Sequence, residues 1–594
     1  MNISRLLPAL LCIGFAAELS SVSAQENFNA RVDSALADAK TWPGVIRSDI
    51  GVTRRGTKIP CLITADDLDY GTKKTRILVV GLGTIPKPEE SSLALMKWFY
   101  TNDDAKPYRK KFAISAVPML NVDGWATNRI GSNLSKGTPS AGYPPQGNAY
   151  NSPTDPEAAY VWRWIGMHAP DLVTYLGTGS IVAMFVPEVD LPEMKRLPKG
   201  GLPIRNIGND LVSQLVRNKP ANVGAVPTVR IDSDTRGLRQ WLVRIMQSKF
   251  SGPSPARREL QKRLHRTPIE VAKQLAKRYG HDLNTVAYIP ALALVGRIRL
   301  GELTNDASHL ADIERIVKPY VDGKKPTLGK RFGGSNLSGH LIFGELARAT
   351  KNKRYVELTQ IAADKGFDEE GQPRASMPAH SEMSDSVFMG CPILVQAGKL
   401  TGEKKYHDMA LTHLRFMQNL ALRKDGVYRN SPLDEAAWGR GNGFPALGVA
   451  LCLTDLPKDH PAYAAMLASF RAHMRALKAH QDPTGTWHQV IDHTGSYREF
   501  TCTCMITFAM LRGLRNGWLD EREYRPVVDK AWKTILTRIA ADATLVDVCT
   551  GTGKQKNLHA YLDRTAILGH DARGGAMALM VVTEREVWRR SLLP

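Results

Sequence analysis

At 594 residues the chain is too long for one ordinary domain, and two domains are expected. A hydrophobic fraction of 43% supplies real cores, and the net charge of +21 favours an acidic partner. No zinc-finger, RNP-like or helix-turn-helix signature directs that charge toward nucleic acid, which leaves acidic polysaccharide or a basic surface with no partner at all.

In chain order, Arg5, the apolar stretch from Leu6 to Ala17 and the small residues Val22-Ser-Ala24 have the layout of a secretory leader over residues 1–24. An exported protein, periplasmic or secreted, is expected. Beyond the leader no apolar run approaches the roughly 20 residues that cross a bilayer, so no membrane span is expected in the mature chain. Cys12 departs with the leader. Cys61, Cys391, Cys452, Cys502, Cys504 and Cys549 are sparse and lie in apolar surroundings, and lack a second cluster at metal-ligand spacing. Buried free thiols are the expectation.

Residues 25–250 alternate strand and helix patterns. A buried strand is predicted at 76–82, an amphipathic helix at Ser92–Tyr100, a strand at Phe112–Leu120 running into Asn121-Val-Asp-Gly124, a helix at Asp155–Met167 and a strand at Asp171–Leu176. This order predicts an α/β domain with a parallel-rich sheet. The landmarks resemble the zinc carboxypeptidase fold. That resemblance implies a His-x-x-Glu motif where this chain has Gly83-Thr-Ile-Pro-Lys-Pro-Glu89, and a third ligand, a His, where it has Leu176-Gly-Thr-Gly179. Both histidines are missing. Independently of any resemblance, His168 is the sole histidine between the leader and residue 264, so a two-His zinc site cannot be built here. Glu89 and Glu157 are then surface or helix-start carboxylates, and the domain is a carboxypeptidase-like scaffold without zinc ligands.

Breakers and a run of basic residues make 251–269 a basic linker, and a second domain is predicted over 270–594, with its first helix at about Val286–Leu300. From about residue 335 a unit of roughly fifty to sixty residues repeats. Its marks are Thr350-Lys-Asn-Lys-Arg-Tyr355 and Thr401-Gly-Glu-Lys-Lys-Tyr406, with weaker echoes at Tyr463 and Tyr524, each tyrosine opening the second helix of a pair. Paired helices at this period predict a solenoid or a closed ring, because one pair cannot bury its apolar face alone. The loops carry differing polar clusters, Asp425-Gly-Val-Tyr-Arg429 and Thr484-Gly-Thr-Trp-His488. The following helices are headed by Asp385-Ser-Val-Phe-Met389, Trp438-Gly-Arg-Gly-Asn-Gly443 and Tyr497-Arg-Glu-Phe-Thr501. Varied polar residues at one end of successive helices suit a ring whose inner helices start at one cavity.

These motifs, together with Gly485-Thr-Trp-His-Gln489, Ser496-Tyr-Arg-Glu499, Gly551-Thr-Gly553, Gly574-Gly-Ala576 and Glu584, resemble in order the unsaturated uronyl hydrolases of glycoside hydrolase families 88 and 105. The resemblance implies an all-α (α/α)6 barrel that hydrates the C4=C5 bond of a terminal unsaturated uronic acid on an acidic oligosaccharide. No cofactor and no metal ligands are assigned from the sequence. The resemblance carries the proton donor to Asp385, whose pKa should be raised by burial against Phe388 and Trp438. One carboxyl group can act as both acid and base in such a hydration. Trp438 fits stacking on a sugar ring and Arg440 a fork on the uronate carboxylate. Asn442, Trp487, His488, His380, Asn336, Arg429 and Glu499 are the further candidate substrate-binding residues. Two positions depart from the family: Ser335-Asn336 where an Asp is usual, and Arg429-Asn430 where a His is frequent. Two alternatives remain: a glycosidase for saturated uronides with Glu499 as a second carboxylate, and a carbohydrate-binding pseudoenzyme.

Overall fold

The computed structural model describes residues 33–34, 36–81, 88–123, 142–145, 155–177, 182–185, 191–199, 202–204, 208–232 and 235–593. The leader segment with Cys12, residues 83–87, the Glu89 side chain, Gly124, Thr178 and Gly179 lie outside the described residues. The chain divides into two units. One comprises residues 1–262 with 494–496, the other residues 263–493 with 497–594.

The first unit is built on an eight-stranded sheet in the order β1-β2-β4-β3-β5-β8-β6-β7. The strands are β1 (Val45–Val52), β2 (Lys58–Thr64), β3 (Thr75–Gly81), β4 (Phe112–Val117), β5 (Leu172–Gly177), β6 (Val182–Phe185), β7 (Leu202–Pro203) and β8 (Thr228–Asp232). β4, β3, β5 and β8 run parallel, while β2 joins β4 and β6 joins β8 antiparallel, so the sheet is mixed. Every residue of β3 and β4 is buried, as a near-continuous apolar run covered on both faces requires. Helices α1 (Pro88–Thr101) and α3 (Thr235–Gln247) pack against each other, and α2 (Pro156–His168) packs on β1.

His168 is internal: its Nε2 lies 3.1 Å from the Ser115 hydroxyl and its ring stacks on Trp164 at 5.1 Å. Glu157 does start a helix, in the first turn of α2, but it is buried rather than on the surface. Among the described residues neither carboxylate oxygen has a hydrogen-bond partner, and burial pushes its pKa up to about 8.

The segment expected as a linker is largely helical. It holds α4 (Pro255–Leu264) and the start of α5 (Pro268–Ala276), and the division between the units falls within α4. Thr267 and Glu270 explain the start of α5: each accepts the other's backbone N–H in a capping box, with Pro268 at the first helical position.

The second unit is helical, with α6 (Tyr288–Thr304), α7 (Ser308–Val321), α8 (Leu341–Thr350), α9 (Lys353–Ala363), α10 (Ser386–Thr401), α11 (Lys404–Ala421), α12 (Gly439–Asp455), α13 (Pro461–Ala479), α14 (Phe500–Arg515), α15 (Glu521–Thr537) and α16 (Ala572–Ser591). A short helix, Gly334–Gly339, runs into α8. Neighbour packing is cyclic: α6 on α8, α8 on α10, α10 on α12, α12 on α14, α14 on α16, and α16 back on α6. These helices are apolar around most of their circumference; residues 386–398 of α10 are all buried.

The remaining helices pack against these, α9 against both α8 and α10, and are one-sided. In α11 the buried positions include Tyr406, Met409, Ala410, His413, Leu414 and Met417, a helical i, i+3, i+4 stripe. The four repeat tyrosines fall in the first turn of α9, α11, α13 and α15, as the repeat predicts. All six described cysteines are buried and free. Among the described residues no helix is long and apolar enough to cross a membrane.

Candidate active site

Asp385 immediately precedes α10, yet its carboxyl makes no capping hydrogen bond. Its backbone is already helical, at φ −60° and ψ −19°, and a side chain reaches back over the first N–H groups when the cap residue is extended. The loop is pinned from both sides. The Ser384 N–H donates to the Asn430 carbonyl at 2.9 Å. The Ser386 hydroxyl donates to the His380 carbonyl at 2.5 Å. His413, fully buried, accepts from the Met377 N–H through Nδ1 at 3.1 Å. That leaves Nε2 to donate to the Ser386 carbonyl at 2.8 Å. Upstream, Ala379, Ser381 and Glu382 all sit at positive φ between 51° and 60°, a strained backbone for residues with side chains.

Burial pushes the Asp385 pKa up to about 7, against the downward pull of the Arg440 charge. Phe388 lies fully buried one turn along α10. Its ring, Phe444 at 5.4 Å and Tyr288 at 6.1 Å form an aromatic group at the heads of α10, α12 and α6. Burial also raises the pKa of Tyr288, and both Asp385 and Arg440 act on its charge.

Trp438 caps α12 and is 2% exposed, with the Arg440 guanidinium 4.8 Å above its ring. One face of the indole is therefore covered by Arg440, not open for a sugar. The Arg440 fork is likewise committed: Nη1 donates to the Cys549 carbonyl at 2.5 Å and Nη2 to the Thr550 carbonyl at 2.6 Å. A two-pronged grip on a substrate carboxylate is not what this geometry provides.

The groups left over are more informative. Trp438 Nε1, Arg440 Nε, Ser384 Oγ, Asn430 Oδ1 and Gln489 Oε1 are buried polar atoms without hydrogen-bond partners among the described residues. Leaving such atoms bare costs about 1–3 kcal/mol each. They belong to one neighbourhood: a methyl group placed on Gly441 would lie 2.8 Å from Ser384 Oγ, 3.1 Å from Asn430 Oδ1 and 3.3 Å from the Trp438 ring. Tyr561 ties in the rest, its hydroxyl accepting from Asn430 Nδ2 at 2.9 Å and its carbonyl from Gln489 Nε2 at 3.3 Å.

The other candidates are used internally. Asn442 accepts from the Tyr428 N–H at 2.7 Å and donates to the carbonyls of Tyr428 and Trp438 at 2.8 and 3.0 Å. Trp487 is fully buried in the apolar core and donates its indole N–H to the Leu477 carbonyl at 2.7 Å. His488, 1% exposed, lies 3.0 Å from Asp482, which Arg498 grips at 2.8 and 2.9 Å. Those partners hold the Asp482 carboxyl well below its ordinary range despite its burial.

Glu499 caps α14: its oxygens accept from Thr501 N, Thr501 Oγ1, Cys502 N and Cys549 N at 2.5–2.9 Å. Asn336 accepts from the Gly333 N–H at 3.0 Å and donates to the Val286 carbonyl at 2.9 Å, bracing the short helix before α8. Arg429 closes the end of α11 through the Leu420 carbonyl at 2.8 Å and pairs with Glu435 at 2.5 Å. His380 is part-buried beside Phe416 at 5.1 Å, and its Nδ1 accepts from the Glu382 N–H at 2.9 Å. Glu584 is held by Arg512 and by Arg515 at 3.1 Å, which keep its pKa near 2 despite its burial.

Ser384, Tyr288 and Gln489 were not among the predicted site residues. Tyr288 opens α6, so the rule that chemistry sits at inner-helix heads reaches it; Ser384 and Gln489 adjoin or end quoted motifs. Among the described residues no group of three or more His, Cys, Asp or Glu is placed to hold a metal ion.

Residues 258–588 match the family model of Glycosyl Hydrolase Family 88. The chain is 24% identical over 247 residues to the unsaturated 3S-rhamnoglycuronyl hydrolase of Alteromonas sp. (strain LOR), covering 39% of this chain and 58% of that protein. It is 32% identical over 124 residues to the unsaturated rhamnogalacturonyl hydrolase YesR of Bacillus subtilis (strain 168), covering 21% of this chain and 34% of that protein. The chain thus spans little more than half of the one relative and about a third of the other. A solved family 105 glycoside hydrolase from C. acetobutylicum ATCC 824 is similar at 21% identity with a TM-score of 0.47, over 53% of this chain and 99% of that one.

Proposed function

Because one family model covers residues 258–588, more than half of its length, the chain belongs to glycosyl hydrolase family 88, and we propose that it removes unsaturated uronic acid from the non-reducing end of lyase-generated acidic oligosaccharides. It is a glycoside hydrolase; the substrate and the chemical route are what is proposed. The observation that carries the reading is Asp385: a carboxyl group at an inner-helix head, free of capping duty and raised to about pKa 7.

A carboxyl group at that pKa is about half protonated at neutral pH, so it can serve as acid and then as base. Asp385 gives its proton to C4 of the unsaturated sugar while water adds to C5, and the resulting carboxylate takes the proton the water loses. The C5 hemiketal opens, and the hemiacetal left at C1 releases the next sugar. Trp438 Nε1, Arg440 Nε and Ser384 Oγ are the donors available to the substrate's carboxylate and hydroxyls. Arg440, with its fork anchored on the 549–550 backbone, contributes fixed positive charge.

A glycosidase acting on saturated uronides needs a second carboxylate, and Glu499 is spent on four donors. We read the helical unit as an (α/α)6 barrel on the basis of its cyclic packing, and the α/β unit as a carboxypeptidase-like scaffold on the basis of its mixed sheet with a parallel centre. Export rests on the leader-like residues 1–24.

Replacing Asp385 by Asn is expected to lower the rate at which lyase-generated oligosaccharides lose their alkene ultraviolet absorbance by at least about a hundredfold. Undiminished turnover would overturn the assignment.

A further inference from the structure

The helix that presents Asp385 at its head, α10, borders a separate cavity at its far end. It measures about 400 Å³ and lies between α8, the start of α9, the last turns of α10 and the end of α12. Gln396 lines it, eleven residues after Asp385 and so about 16 Å farther along α10. The volume is within the ordinary range for small-ligand pockets, roughly 300–1,000 Å³.

Its polar groups are unevenly matched. Glu345 is taken by Arg348 at 3.0 Å, and Asp455 by Lys399 at 2.5 Å. Lys351 and Lys353, both exposed at the rim, have no ion-pair partner among the described residues. Gln396 is 7% exposed, and its Oε1 is buried without a hydrogen-bond partner among the described residues. Its place is set by Gly344, where a methyl group would fall 2.0 Å from the amide oxygen, so a glycine is what admits the amide. An unpaired amide in the cavity wall, carboxylates able to accept from hydroxyls, and two uncompensated ammonium groups at the mouth together match a small ligand bearing hydroxyls and one anionic group.

We propose that this cavity is a second ligand site, distinct from the Asp385 site, which takes an acidic sugar with its carboxylate or sulfate on Lys351 and Lys353 and its hydroxyls on Gln396. That the ligand is a sugar rests on the proposed action on acidic saccharides; that it is anionic rests on the cavity alone.

The test is equilibrium binding of sodium galacturonate, galactose 6-sulfate and neutral galactose to the full chain and to a Lys351→Ala/Lys353→Ala double variant, with Gln396→Leu as a second variant and Asp385→Asn as a control. At least one of the two anionic sugars binds the full chain, and which one identifies the anion recognised. Each cavity variant weakens that binding about tenfold or more, while Asp385→Asn retains it. Turnover of lyase-generated oligosaccharide by the double variant stays at the full chain's level. Galactose binding as tightly as the acids, no saturable binding, or binding unaffected by both cavity variants would overturn the proposal. Turnover is a separate readout: its absence in the full chain would sink the proposed reaction while the binding series still decides the cavity.

Discussion

Asp385 and Glu499 both stand as acids at the head of an inner helix, and their backbones decide what each can do. Glu499 is extended at φ −92° and ψ 130°, so its carboxylate folds over the first N–H groups of α14. Asp385 is already helical, so its carboxyl caps no backbone N–H, and the cost of burial outweighs the Arg440 charge and the Ser386 hydrogen bond and appears as a raised pKa. The sign of the pH dependence follows. Folded, Asp385 keeps its proton up to about pH 7; unfolded, it releases it near 3.8. Between those values the folded state binds more protons, so native stability falls as pH rises through the window. Asp385→Asn removes that penalty. The variant is expected to be more stable than the native chain by roughly 2–4 kcal/mol above pH 7, with the advantage shrinking to nothing near pH 4. Thermal unfolding at pH 4.5 and pH 8 measures it; a pH-independent difference would show that Asp385 is not held protonated. Activity has the same origin with its own readout: kcat should decline above about pH 7 as Asp385, the proposed proton donor, ionises.

At the scale of elements, the head of α12 shows why glycines recur in Trp438-Gly-Arg-Gly-Asn-Gly443. A methyl group on Gly439 would lie 2.6 Å from the His488 carbonyl, and one on Gly443 would lie 2.8 Å from Met505 Sδ, so α12 starts against the β9 (Trp487–His488) strand and α14 with no room for side chains. Glycine to alanine inside a helix ordinarily stabilises, by about 0.5–1 kcal/mol. Gly441→Ala should do the reverse, costing about 1–3 kcal/mol in thermal or denaturant unfolding and lowering kcat, because the new methyl intrudes on Ser384, Asn430 and Trp438. A stabilised, fully active variant would refute the crowding. The elements themselves were readable beforehand: the repeat tyrosines mark first turns of covering helices, because a spacing of paired helices is a local pattern. The 251–269 segment, which holds the division between the units, is largely helical, and its charge obscures a capping box that only Thr267 and Glu270 in contact make plain.

Across the whole molecule, a net charge of +21 would draw in the anionic substrate proposed above before contact. Raising ionic strength from about 0.01 M to about 0.15 M shortens the screening length from about 30 Å to about 8 Å, and kcat/KM on acidic oligosaccharides should fall while kcat holds. A kcat/KM indifferent to salt would leave the charge without a role in encounter. By itself the sequence determined what depends on neighbours along the chain: the alternating strands and helices of the first half, the paired helices of the second, the apolar faces, and an acid at the head of α10. It did not determine which polar residues remain free, because their partners come from distant segments. Arg440 is anchored more than a hundred positions away on Cys549 and Thr550, Glu499 takes the Cys549 N–H, and Asn442 closes on Tyr428. Each was a candidate for substrate in one dimension. Buried polar groups must find hydrogen bonds wherever the fold brings a partner, so only the tertiary structure could separate the residues already satisfied from those, at Ser384, Trp438 and Arg440, that still have a bond to give.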